Sequence, residues 1–250
     1  MAIRIIITAS CLMIALCHPG FTSAAPLNKG RQYFEARGEI VWEVPTDEKL
    51  IALTFDDGPD SMDTPAILDL LGQYNAKATF FVVGKRVEKY PELVKREIVE
   101  GHEIANHTYN HMYFNKGVNA EKIQEEIKKA ERLIFNITGQ KPSLFRPPGG
   151  FYNEMVVSAS IKSDYQIVMW SWHQDTRDWS TPGVNAIVNK VLKNARNGDI
   201  ILFHDYVEGQ TQTIEALEQI LPELKNRGFQ FVTVSELLTH RKQLSPAVFD

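Results

Sequence analysis

The sequence predicts a single α/β domain with about seven parallel strands, and three observations carry that prediction. Short segments rich in β-branched and aromatic residues alternate with longer segments of helical period. Several of the short segments are apolar throughout, as strands covered on both faces are. No Pro/Gly/Ser-rich linker interrupts the alternation between residues 49 and 240. A distorted β/α barrel and an open doubly wound sheet both satisfy this pattern. No G-x-G-x-x-G follows the first strand, so the dinucleotide-binding version lacks its signature.

The predicted strands are LIALTF (50–55), KATFFVV (77–83), HEIANH (102–107), SLFRP (143–147), QIVMWSW (166–172), DIILFH (199–204) and FQFVTV (229–234). The helices between them carry their own signals. TPAILDLLGQY has Thr64 as a cap and Pro65 at the first helical position, with Ile67, Leu68 and Leu71 on one face. YPELVKREIVEG repeats the device with Pro91 and stops at Gly101. In NAEKIQEEIKKAERLIFNITG, Ile123, Ile127, Ala130 and Ile134 form one stripe. Two further helical segments, 181–198 and 213–228, end at glycine.

Ahead of the domain, residues 1–24 read as a secretory signal peptide: Arg4, an apolar run from Ile5 to Cys17, then small residues, with Ala24 the last residue removed. The run is short for a membrane span, which takes about 20 residues; an uncleaved anchor is the alternative. Residues 25–48 form a polar lead and 241–250 a tail. Both cysteines, Cys11 and Cys17, fall inside the signal segment, so the exported chain would hold neither a disulfide nor a thiol nucleophile. The expected location is outside the cell or at its wall. A net charge of −4 without long single-sign runs gives no sign of a nucleic-acid partner, and no stable protein partner is implied.

The residues that carry chemistry fall at the C-terminal ends of the predicted strands, where β/α folds build their sites. Asp56 and Asp57 close the first strand and His107 and His111 (HTYNH) the third. Arg146 (FRPPGG) follows the fourth, Asp175, Asp178 and Trp179 (QDTRDW) the fifth, and His204 ends the sixth. Two histidines four apart can share a helical turn and bind one metal, and with a carboxylate from a neighbouring strand they leave positions open for water and substrate. Zinc is the default for such a set, with cobalt and nickel compatible. His204 is a third candidate ligand or a general acid. Asp205 beside it reads as a helix cap, and His102, His173 and His240 as structural or exposed. A buried Arg146 requires an anion, either a structural partner or a catalytic carboxylate. Pro147, Pro148, Gly149 and Gly150 make a side-chain-poor turn whose N–H groups can face a developing oxyanion. The aromatics Tyr152, Trp170, Trp172 and Trp179 divide between core and groove wall, with Trp179 the one suited to a sugar ring.

TFDDGPD, HTYNH, RPPGG, DWSTP and LFHD, in this order, resemble the five motifs of the polysaccharide deacetylases, carbohydrate esterase family 4 or the NodB homology domain. The resemblance spans Leu50 to Leu238. It implies a distorted (β/α) barrel that removes N-acetyl groups from N-acetylglucosamine polymers with one divalent metal. Asp57, His107 and His111 would be the metal ligands, Asp56 the general base and His204 the general acid. Arg146 would hold Asp56, and Asp178 rather than Asp175 would orient His204. Trp179 and Leu202 would enclose the acetyl methyl, and the Gly149 N–H would hold the oxyanion. Relatives often carry an aromatic at the position of Gly149, so this part of the groove wall departs from the pattern. Some relatives acting on the muramic sugar have Asn where this chain has Asp57, which points to peptidoglycan N-acetylglucosamine as the substrate. Chitin or chitooligosaccharide is the alternative, and a non-catalytic wall-binding protein of the same fold a further one.

Overall fold

The computed structural model describes residues 29–115, 117–209 and 211–242, so the signal segment and most of the tail lie outside the described residues. Among the described residues no helix is long and apolar enough to cross a membrane. In chain order the elements are α1 (Arg31–Ala36), β1 (Ile40–Val41), β2 (Leu50–Asp56), α2 (Asp63–Gln73), β3 (Ala78–Val82), α3 (Gly84–Lys89), α4 (Pro91–Val99), β4 (Glu103–Asn106) and α5 (Ala120–Thr138). There follow β5 (Leu144–Phe145), α6 (Glu154–Ile161), β6 (Gln166–Val168), α7 (Val184–Asn194), β7 (Asp199–His204), α8 (Thr213–Asn226), β8 (Gln230–Phe231) and α9 (Val234–Thr239).

All seven predicted strands form, and every ladder between them is parallel. The pairing order is β1-β6-β5-β4-β3-β2-β7, with β8 also on β2. The ends of this order are joined by single links rather than a ladder. Glu43 bridges to Asp199 and Asp175 to Leu202, and Ser171 N–H donates to the Ile200 carbonyl (2.9 Å). The result is the distorted barrel, not the open sheet.

Alternation along the strands sorts the side chains into an outer and an inner set. Ile51, Leu53, Phe55, Phe80, Val82, Ile201 and Phe203 pack outward against helical residues such as Ile67, Leu68, Ile187, Leu217 and Leu221. Leu50, Ala52, Phe81, Ala105, Val168 and Ile200 pack inward together, with Val234 and Leu237 of α9 among them. Asp56 continues the inner series of β2, and His204 that of β7. Their Cα atoms are register partners across the β2–β7 ladder. Parity along two buried strands therefore delivers a carboxylate and an imidazole to the same end of the barrel.

Several expectations change in detail. The lead at 25–48 contributes α1 and β1 and buries Phe34, Ile40, Trp42 and Val44; a two-residue strand is too short to leave a period. β6 ends at Val168, not 172, because the carbonyls of Val168 and Met169 turn to the Arg146 guanidinium instead of a neighbouring strand. Thr64 lies inside α2 and is not its cap. Its hydroxyl accepts from Asp60 N–H (2.7 Å) and donates to Asp205 (2.6 Å).

Asp205 is likewise no helix cap, since α8 starts only at Thr213. It is buried under the turn that follows β2 and accepts from Gly58 N–H at 3.0 Å. A Cβ on Gly58 would stand 1.9 Å from the Asp205 carboxylate, so only glycine lets the turn close on it. Gly58→Ala is expected to destabilise the protein by about 1–3 kcal/mol through this overlap, read as a lower denaturation midpoint.

Candidate active site

The turn after β2 separates the two adjacent carboxylates. Asp56 points into the barrel mouth and is 4% exposed. Arg146, fully buried, donates from Nη1 to Asp56 Oδ1 (2.6 Å) and to Thr54 Oγ1 (2.9 Å). Its Nε and Nη2 donate to the carbonyls of Val168 (2.9 Å) and Met169 (2.7 Å), and the guanidinium lies 3.9 Å from the Phe81 ring centroid. The anion that a buried Arg146 requires is Asp56.

Asp57 adopts a left-handed backbone (φ 76°), which sends its side chain away from Asp56. Its Oδ1 lies 3.3 Å from His107 Nε2 and 3.1 Å from His111 Nε2. One ligand atom from each of the three residues falls within 4.8 Å of the others. The histidines do not share a helical turn as expected. Thr108 (φ 68°) and His111 (φ 57°) are left-handed, and the loop instead folds back on itself. Two residues overlooked in the sequence hold it. Asn106 Oδ1 accepts from Thr108 N–H (2.9 Å), and Glu126 of α5 accepts from Asn110 N–H (2.8 Å) and Nδ2 (2.6 Å). Glu126 had a signal: it is a carboxylate flanking the apolar stripe of α5, and it is 2% exposed.

The chemistry of this set fits a divalent cation. His107 Nδ1–H donates to the Arg146 carbonyl (2.7 Å), which can only accept, so Nε2 presents a lone pair. Asp57 Oδ1 is buried without a hydrogen bond. Lone pairs thus converge on one point with no proton between His107 and Asp57, as one carboxylate and two imidazoles do around a metal with open positions. A second grouping, Glu43, His173 and Asp199, is already internally satisfied. Arg31 pairs with Glu43 (2.9 Å), and His173, Gln174 and the Arg196 N–H all bond Asp199. His102 is buried and structural, its Nδ1 accepting from Ala78 N–H (3.2 Å), and His240 pairs with Glu48 (2.7 Å).

Across the mouth, His204 Nδ1–H donates to Asp178 Oδ1 (2.7 Å), and Asp178 Oδ2 accepts from His204 N–H (2.8 Å) and Thr213 Oγ1 (2.7 Å). Asp178, not Asp175, is the partner; Asp175 lies on the cavity wall and accepts from Arg177 N–H. Burial lowers the His204 pKa, but Asp178, with Asp57 and Asp56 beyond it, raises it to about 9.

Asp56, Asp57, His107, His111 and His204 line one cavity of about 270 Å³, walled by Tyr113, Gly149, Trp170, Trp179 and Leu202. Gly149 (φ 63°) is where the sequence departs from the family pattern, and Tyr113 explains it. A Cβ on Gly149 would lie 2.5 Å from the Tyr113 ring, which occupies that part of the wall together with Phe151. Pro147 is buried behind the wall and accepts from Gly150 N–H (2.9 Å), shaping the turn without lining the cavity. Of the other aromatics, Tyr152 packs on Phe34 and Trp42, and Trp172 stands 81% exposed outside this cavity.

The polysaccharide deacetylase family profile matches residues 43–168. A peptidoglycan-N-acetylglucosamine deacetylase of Bacillus cereus is 52% identical over 211 residues, 84% of this chain and 98% of that protein. The chain belongs to the polysaccharide deacetylase family. The crystal structure of the Bc1960 peptidoglycan N-acetylglucosamine deacetylase superposes with a TM-score of 0.78 at 38% identity, over 84% of this chain and 98% of that one. A family 4 acetyl xylan esterase from Clostridium thermocellum in complex with a cobalt ion gives 0.71 at 36% identity, over 76% of this chain and 91% of that one. Within this deacetylase fold Arg146 ties three strands to the site. Arg146→Met should therefore destabilise it by about 3–5 kcal/mol, because Asp56 is left buried without its cation; chemical denaturation measures the loss.

Proposed function

We propose that this protein is a secreted, metal-dependent N-deacetylase that hydrolyses the N-acetyl group of N-acetylglucosamine residues in peptidoglycan and releases acetate. The observation that carries this reading is the grouping of Asp57, His107 and His111 beside two buried acid–base pairs, Asp56–Arg146 and His204–Asp178, in one cavity. The similarity to peptidoglycan-N-acetylglucosamine deacetylases supports the substrate. The export reading rests on the apolar N-terminal segment.

Asp57, His107 and His111 would hold the metal, zinc by the nature of the donors, with cobalt or nickel as alternatives. When bound, it supplies Lewis acidity for the acetamide carbonyl and acidifies the attacking water. Arg146 occupies Asp56 Oδ1 and leaves Oδ2, on the His107 side (3.8 Å from Nε2), free to accept the water's proton. His204 has its Nδ1 committed to Asp178, so Nε2 is the atom that hands a proton to the departing amine. The Gly149 N–H, with no acceptor among the described residues, would receive the oxyanion from the cavity wall. Leu202 and Trp179 offer apolar surface to the acetyl methyl.

Acetate release from purified peptidoglycan and from chitooligosaccharides, with and without a chelator, tests the proposal. Acetate is expected from peptidoglycan, lost with chelator and restored by zinc. The Asp56→Asn variant should bind metal yet lose about 10²–10⁴-fold in kcat. Acetate from chitooligosaccharides alone would move the substrate to chitin; none from any glycan, with metal bound, would make the chain a wall-binding protein.

The acid role of His204 also sets a pH limit. A general acid works while protonated, and Asp178 holds His204 protonated above the ordinary imidazole range, so kcat/KM should persist through neutral pH and fall on the alkaline side. Asp178→Asn removes the main charge that raises this pKa, and its alkaline limb should shift toward neutrality in a pH–rate profile.

A further inference from the structure

A second cavity, of about 350 Å³, adjoins the site and shares two of its residues, Asp57 and His111. Three cations stand on its wall: Lys85, Arg86 and Lys89, all from α3. The one carboxylate on the same wall, Asp57, faces His107 and His111. Arg86 is fixed, its guanidinium 3.1 Å from the Tyr206 ring centroid and 3.6 Å from Asp60. Lys85 and Lys89 are exposed, and among the described residues neither has an ion-pair partner. Lys89 leans toward Tyr90, its Nζ 4.8 Å from the ring centroid.

The lysines are not on a drifting segment. Gly84 N–H donates to the Thr108 carbonyl and Lys85 N–H to the Tyr109 carbonyl, both at 2.9 Å. A Cβ on Gly84 would stand 2.7 Å from the Tyr109 side chain and 3.0 Å from its Cα, so glycine is what lets α3 lie against this loop. The start of α3 is therefore bonded to the loop that carries His107 and His111. Unpaired cations held at a fixed offset from a reaction centre attract an anion carried by the substrate.

We propose that this cavity is a carboxylate subsite, which receives an acidic group on the sugar next to the one being deacetylated. The inference rests on the deacetylase reading above and deepens it. A chitin oligomer is neutral and would leave the lysines unused. Peptidoglycan alternates N-acetylglucosamine with a sugar bearing a lactyl ether, whose carboxylate is either free or extended by a peptide with carboxylates of its own. Lys85 and Lys89 would thus select for the acidic glycan.

The test compares kcat/KM for acetate release from three tetrasaccharides: neutral chitotetraose, a peptide-free wall tetrasaccharide with free lactyl carboxylates, and the same tetrasaccharide carrying its peptides. In the Lys85→Gln/Lys89→Gln variant the acidic-to-neutral ratio should fall about 5- to 10-fold, the scale of two partly exposed ion pairs. Raising salt should lower the same ratio in the unmodified protein but not in the variant. A fall confined to the peptide-bearing substrate assigns the cavity to peptide carboxylates; a fall with both acidic substrates assigns it to the lactyl group. A ratio unchanged by both the variant and salt overturns the subsite while leaving the deacetylase intact. Absence of acetate from all three substrates in the unmodified protein overturns the deacetylase reading itself, and the subsite with it.

Discussion

A guanidinium with no solvent exposure must be surrounded by acceptors, and the way Arg146 meets that demand organises the whole barrel mouth. It takes Thr54 and Asp56 from β2 and two carbonyls from the end of β6, while its own carbonyl receives the His107 Nδ1 proton from the loop after β4. One residue therefore orients the proposed base, sets the tautomer of a proposed metal ligand and ends a strand. Removing either member of such a pair is expensive because the survivor stays buried. The arrangement ties the geometry of the chemistry to the stability of the fold.

Around that pair, charge is distributed so that neighbouring acids serve different ends. Asp56 faces a cation, Asp57 faces two imidazole nitrogens, and Asp178 faces a third imidazole. The backbone is left-handed at Asp57, Thr108 and His111, residues without the freedom of glycine. Such conformations persist only where surroundings over-determine them, and they gather at functional sites. Here the supports are visible: Asp205 beneath the Gly58 turn, Asn106 on Thr108 and Glu126 on Asn110. None of the three lines the cavity, and each holds a turn that presents a residue to it. Beside this frame, α3 is bonded to the histidine loop and carries two unpaired lysines. Their charge gives a physical basis for distinguishing an acidic glycan from a neutral one.

The strands and the main helices were legible because each rests on a period or a continuous apolar run spanning several residues. β1 was not, since two residues carry no period and the lead around it is polar in composition. QIVMWSW remains apolar beyond the point where its carbonyls leave the ladder, so its composition overstates the length of β6. Thr64 and Asp205 both resembled caps, the usual role of such residues next to helices, yet they bond each other across 141 positions of chain. Local propensity has no access to a partner that distant.

From the sequence alone, the order of strands and helices, the chemical identity of the site residues and their placement at strand ends could be determined. Once β2 and β7 pair, side-chain parity puts Asp56 and His204 on one face. Tertiary structure supplied the contacts that realise the expected pairings, Arg146 on Asp56 and Asp178 on His204, because they join segments 90 and 26 positions apart in the chain. It also decided that Tyr113, from another loop, fills the space a side chain at Gly149 would need. It decided as well that the two histidines converge through left-handed loop geometry rather than a helical turn. Periodicity is a local property of the chain, whereas these contacts depend on distances between segments far apart in it, and only the packed barrel sets those distances.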